Sequence, residues 1–370
     1  MEKLTKLDCF KDSYKGKRVL ITGHTGFKGA WLSLWLLKLG AKVGGFSIDL
    51  PTQSCLFNSL GLRYRVETFE GDISNLDDIK KAFEAFQPDV VFHLAAQPII
   101  RRSLDEPLET FEVNILGTVA VLECIRVVPC TEAAVIVTSE RCYENTGLLR
   151  GYVESDPMGG SDPYSASKGC AEIVTKSYFR SFFNKEGTVK IASARTGNVV
   201  GGGDWAQDRI IPDCVKAWQK GEDVIIRNPD ITRPWQHVLE PLSGYLWLGA
   251  SLLLSGKMNG EAFNFGPKEN SIGTVGDLKE LFLENLGDEK LNHNFSKKKK
   301  IESTFLPLNC DKSQEMLCWV PVLEFQETIE MTAQWYKQFY IDDKDIFSFS
   351  SAQIDEYVNK AKRKKIAWSV

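Results

Sequence analysis

Short apolar runs alternate with longer, largely apolar stretches through the first half of the chain. Residues 18–22 (RVLIT) are mostly apolar and β-branched, as a buried strand requires, and the stretch that ends on Gly40 has apolar side chains on most faces of a helix. The same pattern predicts further strands at 41–49, 66–73, 89–94 and 133–138 and helices at 30–40, 76–86 and 110–127. Strands that alternate with helices form right-handed βαβ units, so we predict an α/β fold with a doubly wound parallel sheet.

Beyond about residue 198 this simple alternation ends. The apolar pattern there predicts helices at 210–221 and 239–255, a strand at 223–227, and further ordered segments at 263–267 and 271–286. We therefore divide the chain into a main Rossmann-like domain over 1–198, a smaller lobe mainly over 199–345 with some segments returning to the main domain, and a C-terminal tail over 346–370.

The composition excludes several classes of protein. Of the 370 residues, 43% are hydrophobic and 25% are charged, which is typical of a soluble globular chain. The longest strongly apolar stretch, 245–254, is shorter than the ~18–20 residues that span a bilayer. The N-terminus carries charges where a signal peptide has an apolar core, and the net charge of −4 provides no basic field for nucleic acid. We expect a cytoplasmic protein without membrane or nucleic-acid partners.

Cysteine and histidine usage argues against a metal site. Nine cysteines and four histidines occur without a C-x-x-C pair or metal-ligand spacing. Reduced thiols in a cytoplasmic protein are the expected state.

A glycine-rich turn joins the first predicted strand to the first predicted helix. Gly23, Gly26 and Gly29 give the spacing G-x-x-G-x-x-G, and such glycines let the backbone approach a pyrophosphate at the helix N-terminus. Asp49 lies 20 residues after Gly29, where a carboxylate would hold a ribose 2′-hydroxyl, and no Arg or Lys stands near it to bind a 2′-phosphate. We predict NAD rather than NADP as the cofactor; the alternative for Asp49 is a solvated loop acid.

Tyr164 and Lys168 are four residues apart in a predicted helical segment, and therefore share one face. A lysine beside a phenol favours the phenolate and so lowers the pKa of the tyrosine. A phenolate beside a nicotinamide can take the proton of a sugar hydroxyl while hydride leaves its carbon. Thr138 and Ser139, at a predicted strand end, complete this constellation.

These motifs resemble those of the extended short-chain dehydrogenase/reductase family, and within it the CDP-glucose 4,6-dehydratases. The resemblance runs from about Gly16 to about Phe339. The segments that carry it, besides the glycine turn and the Tyr-x-x-x-Lys pair, are 92–98 (FHLAAQP), 114–118 (NILGT), 142–145 (CYEN), 195–205 (RTGNVVGGGDW) and 233–238 (RPWQHV).

The resemblance implies an NAD-dependent lyase. It implies that NAD is tightly bound and is reduced and reoxidised within one turnover, with oxidation at sugar C4, loss of water from C5 and C6, and hydride return to C6. Tyr164, Lys168 and Ser139 would support the oxidation. The implied cofactor-binding residues are Gly23, Thr25, Gly26, Phe27, Gly29, Asp49, Asp72, Ile73, Leu94, Ala95, Ala96, Asn114, Thr138, Tyr164 and Lys168. The implied nucleotide-sugar-binding residues are Gln97, Asn198, Asp204, Trp205, Arg209, Arg233 and Trp235.

The strand end departs from the resembled dehydratases. They carry Ser-Asp-Lys, whereas this chain has Ser139-Glu140-Arg141. Glu140 can still donate a proton to the departing C6 hydroxyl, but Arg141 is a poor proton acceptor and would instead stabilise enolate charge. The identity of the C5 base is open. A 4-epimerase or reductase on the same scaffold, a dehydratase for another nucleotide sugar, and a silent NAD-binding regulator remain alternatives to CDP-glucose dehydration. By analogy with the family we expect a homodimer or homotetramer.

Overall fold

The computed structural model describes residues 6–148, 150–223, 228–268, 272–287, 306–342 and 345–370. Within these ranges, seven strands form one parallel sheet and two further pairs of short strands lie in the second half of the chain. The strands are β1 (Arg18–Thr22), β2 (Lys42–Ser47), β3 (Glu67–Glu70), β4 (Val90–His93), β5 (Ala133–Val137), β6 (Lys190–Thr196), β7 (Val199–Val200), β8 (Thr232–Pro234), β9 (Gln236–His237), β10 (Ala262–Phe265) and β11 (Ile272–Thr274).

Helices cover both faces of this sheet. They are α1 (Phe27–Lys38), α2 (Leu56–Ser59), α3 (Leu76–Phe86), α4 (Ile100–Asp105), α5 (Pro107–Phe111), α6 (Gly117–Val127), α7 (Pro163–Tyr178), α8 (Ile210–Lys220), α9 (Leu239–Leu254), α10 (Val275–Leu286), α11 (Asp311–Leu317), α12 (Phe325–Tyr340) and α13 (Ile346–Arg363).

The sheet has the order β10-β6-β5-β4-β1-β2-β3, and every neighbouring pair in it is parallel. The chain winds outward from β1 in one direction and from β4 in the other, so the predicted doubly wound fold is confirmed. Ligands of such sheets bind outside the carboxyl ends of the strands where the winding reverses. That point lies at the ends of β1 and β4.

Alternating side chains of each central strand enter two different cores. Val19 and Ile21 of β1 belong to a cluster that also contains residues of α1 and α9, whereas Leu20 between them packs on the opposite face with residues of α3 and α6. The helix α1 is buried on almost every side, which explains its uniformly apolar sequence; Trp31 and Trp35 are fully buried.

One predicted helix is interrupted. The stretch predicted as a single helix over 110–127 consists of α5, a wide π-type turn over Glu112–Leu116, and α6. A π-type turn shifts the direction of the side chains that follow it and often marks a functional site. Here it directs the buried amide of Asn114 toward the loop after β4 and toward α7.

Residues from the second half of the chain form a group of packed elements and also extend the large sheet. The helices α8 and α12 pack on α10, β7 and β9 pack on α12, and β11, which pairs with β8, packs on α10; we call this group the lobe. The strand β10 joins the edge of the large sheet beside β6. The helix α9, predicted from its apolar run, packs against β5 and β6. The predicted strand at 223–227 falls, apart from its first residue, outside the described residues.

The segment 346–370, set apart above as a tail, is folded onto the main domain. Its helix α13 contacts α1, and the Trp368 ring stacks on Phe10 at a centroid distance of 5.1 Å. The fully buried Lys38 of α1 donates from Nζ to Ser351 Oγ at 2.6 Å and forms an ion pair with Asp355 at 2.9 Å. The pattern of apolar residues does not reveal this contact between α1 and α13, because part of it is made by the polar bonds of the buried Lys38.

No helix in the described part of the chain has the length and apolar character needed to cross a bilayer. Among the same residues, no group of three or more His, Cys, Asp or Glu side chains is arranged to hold a metal ion.

Candidate active site

The glycine turn leaves no room for side chains at its two ends. Gly23 has a φ of +76°, and a Cβ on it would lie 2.8 Å from the backbone nitrogen of Ala95. A Cβ on Gly29 would lie 2.2 Å from the carbonyl oxygen of Gly23. The turn therefore brings β1, the start of α1 and the loop after β4 into direct backbone contact.

The helix α1 begins at Phe27, and its N-cap residue Gly26 has no side chain to bond the first amides. The exposed N–H groups and the positive end of the helix dipole suit an anion such as a dinucleotide pyrophosphate. The close packing of the turn and this uncapped helix N-terminus fit the predicted NAD.

A buried histidine of the turn, His24, contacts side chains of β2 and β3. His24 lies within hydrogen-bond distance of Ser47 (Nδ1 to Oγ, 2.9 Å) and of Thr68 (Nε2 to Oγ1, 3.3 Å). Burial lowers the pKa of His24 to about 4, so the ring is neutral and structural at pH 7. Thr25 donates from Oγ1 to the carbonyl oxygen of Asp49 at 2.8 Å, which fixes the loop after β2.

Several predicted cofactor residues line the carboxyl ends of the first four strands. Asp49 is exposed two residues beyond β2, a position open to a ribose. The Asp72 carboxylate accepts hydrogen bonds from the amide and hydroxyl of Ser74, and Ile73 is buried beside Gly117. The loop residues that follow β4, Leu94 to Ala96, are half-buried, and the amides of the first two bond to Thr22 of β1. Phe27 contacts the start of the lobe near Gly201.

Asn114 fastens this loop to the helix of the predicted catalytic pair. Its Oδ1 accepts from the amide of Gln97 at 2.8 Å, and its Nδ2 donates to Ser167 Oγ at 2.9 Å. Gln97, predicted to contact substrate, is buried: its Nε2 donates to Thr110 and its Oε1 accepts from the amide of Ile99. Both polar atoms of the side chain hold the loop, and a contact of Gln97 with substrate stays a prediction.

The predicted catalytic helix, α7, begins at a capping residue followed by a proline. Asp162 caps α7 by accepting from the amide of Ser165 at 2.9 Å, and Pro163 occupies the first helical position, where a missing N–H costs nothing. Tyr164 and Lys168 follow on one face, with Tyr164 half-buried and Lys168 buried.

The residues after β5 form a short turn that faces this helix. Ser139 donates from Oγ to Glu140 Oε2 at 2.7 Å, and Arg141 Nε lies 3.9 Å from Glu140 Oε1. Both carboxylate oxygens of Glu140 thus face neighbours in the turn, and its side chain is almost completely buried. The Thr138 hydroxyl donates to Glu172, and binding of NAD by Thr138 stays a prediction.

The pKa of the tyrosine differs from the expectation. Burial raises the pKa of Tyr164 to about 12, and the Glu140 carboxylate adds to this effect; a hydrogen bond with Ser139 and the positive charge of Arg209 act in the opposite direction. Lys168 is not among the principal charges that set this value, so the lowering of the pKa by the lysine stays a prediction. A further positive charge in the cleft would lower this pKa.

Burial also lowers the pKa of two lysines in the cleft. The pKa of Lys168 falls to about 8 although Glu172 opposes the fall, and that of Lys28 falls to about 7 although Glu140 opposes it. Lys28 was not singled out in the sequence, since within the glycine turn it reads as an ordinary first-turn residue of α1. Its long side chain passes over the Tyr245 ring at 6.0 Å.

The lobe contributes one of the predicted cations to the cleft. Arg209 precedes α8, pairs with the Asp204 carboxylate at 2.7 Å, and acts electrostatically on both Tyr164 and Lys28. Asp204 thus fixes the position of Arg209 through this ion pair.

The two predicted tryptophans differ. Trp205 donates from Nε1 to Tyr340 at 2.8 Å and packs edge-on against Trp335 and Phe339; its contact with substrate stays a prediction. Trp235 is also buried, and its Nε1 has no hydrogen-bond partner among the described residues.

Asn198 directly precedes β7, and Arg233 lies on β8. The carbonyl oxygen of Asn198 accepts from the amide of Gln236, and β8, which contains Arg233, pairs with β11. Both side chains are half-buried.

A buried ion pair behind the catalytic helix was missed in the sequence. Glu172 and Arg195 are both almost fully buried and join α7 to β6 at 2.8 Å. The spacing of Glu172, four residues after Lys168, was the available signal, because it places both side chains on one face of the helix.

The model of one protein family matches residues 20–332 of the chain, and its description is GDP-mannose 4,6 dehydratase. The chain belongs to the GDP-mannose 4,6 dehydratase family. Among curated members, a CDP-glucose 4,6-dehydratase of Salmonella typhimurium is 42% identical over 357 residues, which cover 95% of this chain and 99% of the relative. The similarity extends further than the range from Gly16 to Phe339 expected above.

More distant members and solved structures share the fold. A dTDP-glucose 4,6-dehydratase of Haemophilus influenzae is 26% identical and covers 86% of this chain and 97% of the relative. The epimerase Mth375 of Methanothermobacter thermautotrophicus has a TM-score of 0.74 and 26% identity, covering 89% of this chain and 94% of that structure. The dTDP-glucose 4,6-dehydratase of Bacillus anthracis, solved with NAD, has a TM-score of 0.72 and 21% identity, covering 89% of this chain and 99% of that one.

Proposed function

We propose that this chain is an NAD-dependent hydro-lyase that converts CDP-glucose to CDP-4-keto-6-deoxyglucose. The observation that carries this proposal is the placement of a buried carboxylate, Glu140, in one turn with Ser139 and close enough to Tyr164 to raise its pKa. A redox pair alone serves an epimerase or reductase. A proton donor beside that pair is what elimination of a hydroxyl additionally needs.

The glycine turn would hold the pyrophosphate of NAD, and Asp49 would bind the adenosine ribose. Asp72 and Ile73 would contact the adenine, and Lys168 would lie near the other ribose. When bound, NAD accepts hydride from sugar C4 and later returns it to C6. The nicotinamide ring of the oxidised cofactor is positively charged and would lower the pKa of a phenol beside it.

The chain's own residues would then move the protons of the first step. Tyr164 takes the proton of the C4 hydroxyl, with Ser139 hydrogen-bonded to the same oxygen, as C4 is oxidised to a ketone. Lys168 stabilises the phenolate by its charge. The ketone makes the neighbouring C5 proton acidic and so prepares the loss of water.

Glu140 would act in the second step. In its protonated form Glu140 gives a proton to the C6 hydroxyl, which leaves as water, while the C5 proton passes to a base in the cleft and a C5–C6 double bond forms. The negative charge that develops on the C4 oxygen is stabilised by Arg141, whose guanidinium stays protonated. Hydride at C6 and a proton at C5 then complete the 4-keto-6-deoxy sugar.

Arginines from the lobe suit the nucleotide part of the substrate. Arg209 is held by Asp204, Arg233 lies on β8, and Asn198 directly precedes β7. A planar guanidinium matches phosphate oxygens in pairs. The choice of CDP-glucose among nucleotide sugars is supported by the 42% identical relative, which is a CDP-glucose 4,6-dehydratase.

We also propose that the protein acts as a cytoplasmic homo-oligomer. Its nine cysteines are all free thiols, as in a reducing compartment. The neighbouring helices α5, α6 and α7 and the turns that follow α5 and α7 expose large apolar side chains, and a second copy would cover them. These are Leu108, Leu116, Val127, Ile173 and Phe182.

The proposal is tested by comparing Glu140→Gln with the wild type on CDP-glucose and NAD. We expect the variant to lose dehydration by about 10²-fold or more, the ordinary range for a lost proton donor, while it still forms the 4-ketone. Glu132→Gln is the control, since Glu132 lies at the opposite end of β5 and pairs with Lys17 at the surface. Dehydration by Glu140→Gln at the normal rate, or an isomer of unchanged mass as the wild-type product, would refute the assignment.

A further inference from the structure

We propose that the buried pair of Glu172 and Arg195 is a positioning element that holds the acid turn, Ser139 to Cys142, against the redox helix α7. The inference rests on the proposed function, because it assigns the two halves of that reaction to two separate segments of the chain. One segment, the acid turn, carries Glu140. The other, α7, carries Tyr164 and Lys168.

The Glu172 carboxylate is fully enclosed by donors from two strands. Arg195 of β6 donates to it twice, from Nε at 2.9 Å and from Nη2 at 2.8 Å, and Ser193 of the same strand donates at 2.7 Å. The remaining donor is the hydroxyl of Thr138 at the end of β5. Burial opposes ionisation of Glu172, but Arg195 and the hydrogen bonds hold its pKa below the ordinary range, so the carboxylate is charged.

Arg195 reaches the other end of the acid turn. Its Nη1 donates to the Tyr143 hydroxyl at 2.7 Å and to the carbonyl oxygen of Glu154 at 3.1 Å. The guanidinium also lies over the Tyr143 ring at 5.0 Å. The Tyr143 hydroxyl in turn donates to Asn264 Oδ1 on β10 at 2.7 Å.

The acid turn is therefore held at both ends by one ion pair. Thr138 directly precedes Ser139, and Tyr143 directly follows Cys142, so bonds to Glu172 and to Arg195 flank the turn. On α7 the same Glu172 lies one turn below Lys168, which lies one turn below Tyr164. The ion pair thereby fixes the distance between the carboxyl of Glu140 and the phenol of Tyr164.

This arrangement predicts which step fails when the link is cut. Oxidation at C4 depends chiefly on Tyr164 of α7 and on the cofactor cleft, which stay in place; the acid turn contributes to it only the hydrogen bond of Ser139. Proton delivery to the C6 hydroxyl depends on the acid turn, and a shift of about 1 Å in a reacting group can cost 10²-fold in rate. Cutting the link should therefore slow dehydration more than ketone formation.

The variants Thr138→Val, Tyr143→Phe and their combination cut the link without removing a charge. Ser193→Ala is the matched control: it also removes one hydroxyl bond to Glu172, but β6 does not lead into the acid turn. If the double variant fails to fold, Glu172→Leu combined with Arg195→Met replaces the ion pair by apolar side chains, an exchange that buried pairs often tolerate.

Two readouts separate positioning from a general loss of stability. Single turnovers of CDP-glucose are quenched with borodeuteride, and the reduced sugars are analysed by mass spectrometry. The spectra give the ratio of the undehydrated 4-ketone to the 6-deoxy product. Backbone amide exchange measures the mobility of residues 139–143 directly. We expect the double variant to lose dehydration by about tenfold or more, to accumulate the undehydrated ketone, and to exchange faster in 139–143, while Ser193→Ala keeps the wild-type ratio and exchange.

The proposal is overturned if the double variant and Ser193→Ala lower both steps in parallel, or if exchange in 139–143 is unchanged in the double variant. A wild type that forms no ketone from any nucleotide sugar would refute the proposed function instead. In that case amide exchange still decides whether the ion pair holds the turn.

Discussion

Replacing Gly29 with alanine perturbs the cofactor cradle by a single methyl group. The Cβ would lie 2.2 Å from the Gly23 carbonyl oxygen and 2.7 Å from His24 Cα, whereas ordinary van der Waals contact begins at 3.4 Å. Both neighbours are backbone atoms, so the strain cannot be relieved by rotating a side chain. The start of α1 must therefore move away from the turn by about 1 Å, a shift whose overpacking typically costs about 1–3 kcal/mol of stability.

That shift also displaces the uncapped N-terminus of α1 from the place where the pyrophosphate would bind. At a ligand concentration 100 times the Kd, binding adds about 2.7 kcal/mol to the stability of the folded protein. We expect the wild type to show this gain with NAD in urea unfolding, and Gly29→Ala to show little of it. Isothermal titration with NAD gives the affinities directly.

The control is Gly276→Ala, in the first turn of α10. Its Cβ would lie 3.4 Å from the carbonyl oxygen of Pro229, at the edge of ordinary contact, and alanine favours a helix. We expect wild-type stability and NAD affinity. If Gly29→Ala binds NAD with the wild-type Kd, the glycine turn is not the cofactor cradle and the reasoning is refuted.

Three further outcomes test separate parts of the account. Tyr164→Phe should lower kcat by about 10²-fold or more and leave NAD affinity, measured by titration, close to the wild type. Burial raises the pKa of Glu240 to about 7, so the folded state holds a proton that the unfolded state loses above pH 4.5. The free energy of unfolding of the wild type should therefore fall by about 3 kcal/mol between pH 4.5 and 7 relative to that of Glu240→Gln. Urea unfolding that shows the same pH dependence for both proteins would contradict this. Asp355→Asn strands the buried charge of Lys38 and should cost about 3 kcal/mol or more, whereas Lys38→Met should cost less; equal losses of unfolding free energy would contradict the ion pair.

The sequence was sufficient for features that depend on local pattern. The β1–turn–α1 unit follows from β-branched residues, glycines at fixed spacing and an apolar helix, and β5 and α7 end and begin where Thr138 and Asp162 suggest. Such signals lie within a few residues of the structure they specify. The fold class and the placement of Ser139, Tyr164 and Lys168 followed from them.

Features that depend on distant partners did not follow. The hydrogen bonds of the Gln97 amide to Thr110 and Ile99 are decided by the folding of the loop, so the residue pattern around Gln97 did not indicate them. The role of Trp205 depends on α12, more than a hundred residues away. The pKa of Tyr164 depends on burial and on Glu140, neither of which the four-residue spacing to Lys168 contains.

The fate of the hydrogen on sugar C4 tests the central claim most directly. Wild-type protein would be incubated with NAD and CDP-glucose that carries deuterium at C4, and the product would be examined by mass spectrometry and NMR. The account predicts the loss of one water, with the deuterium found in a new methyl group at C6. A product of unchanged mass, or a deoxy sugar without deuterium at C6, would contradict it.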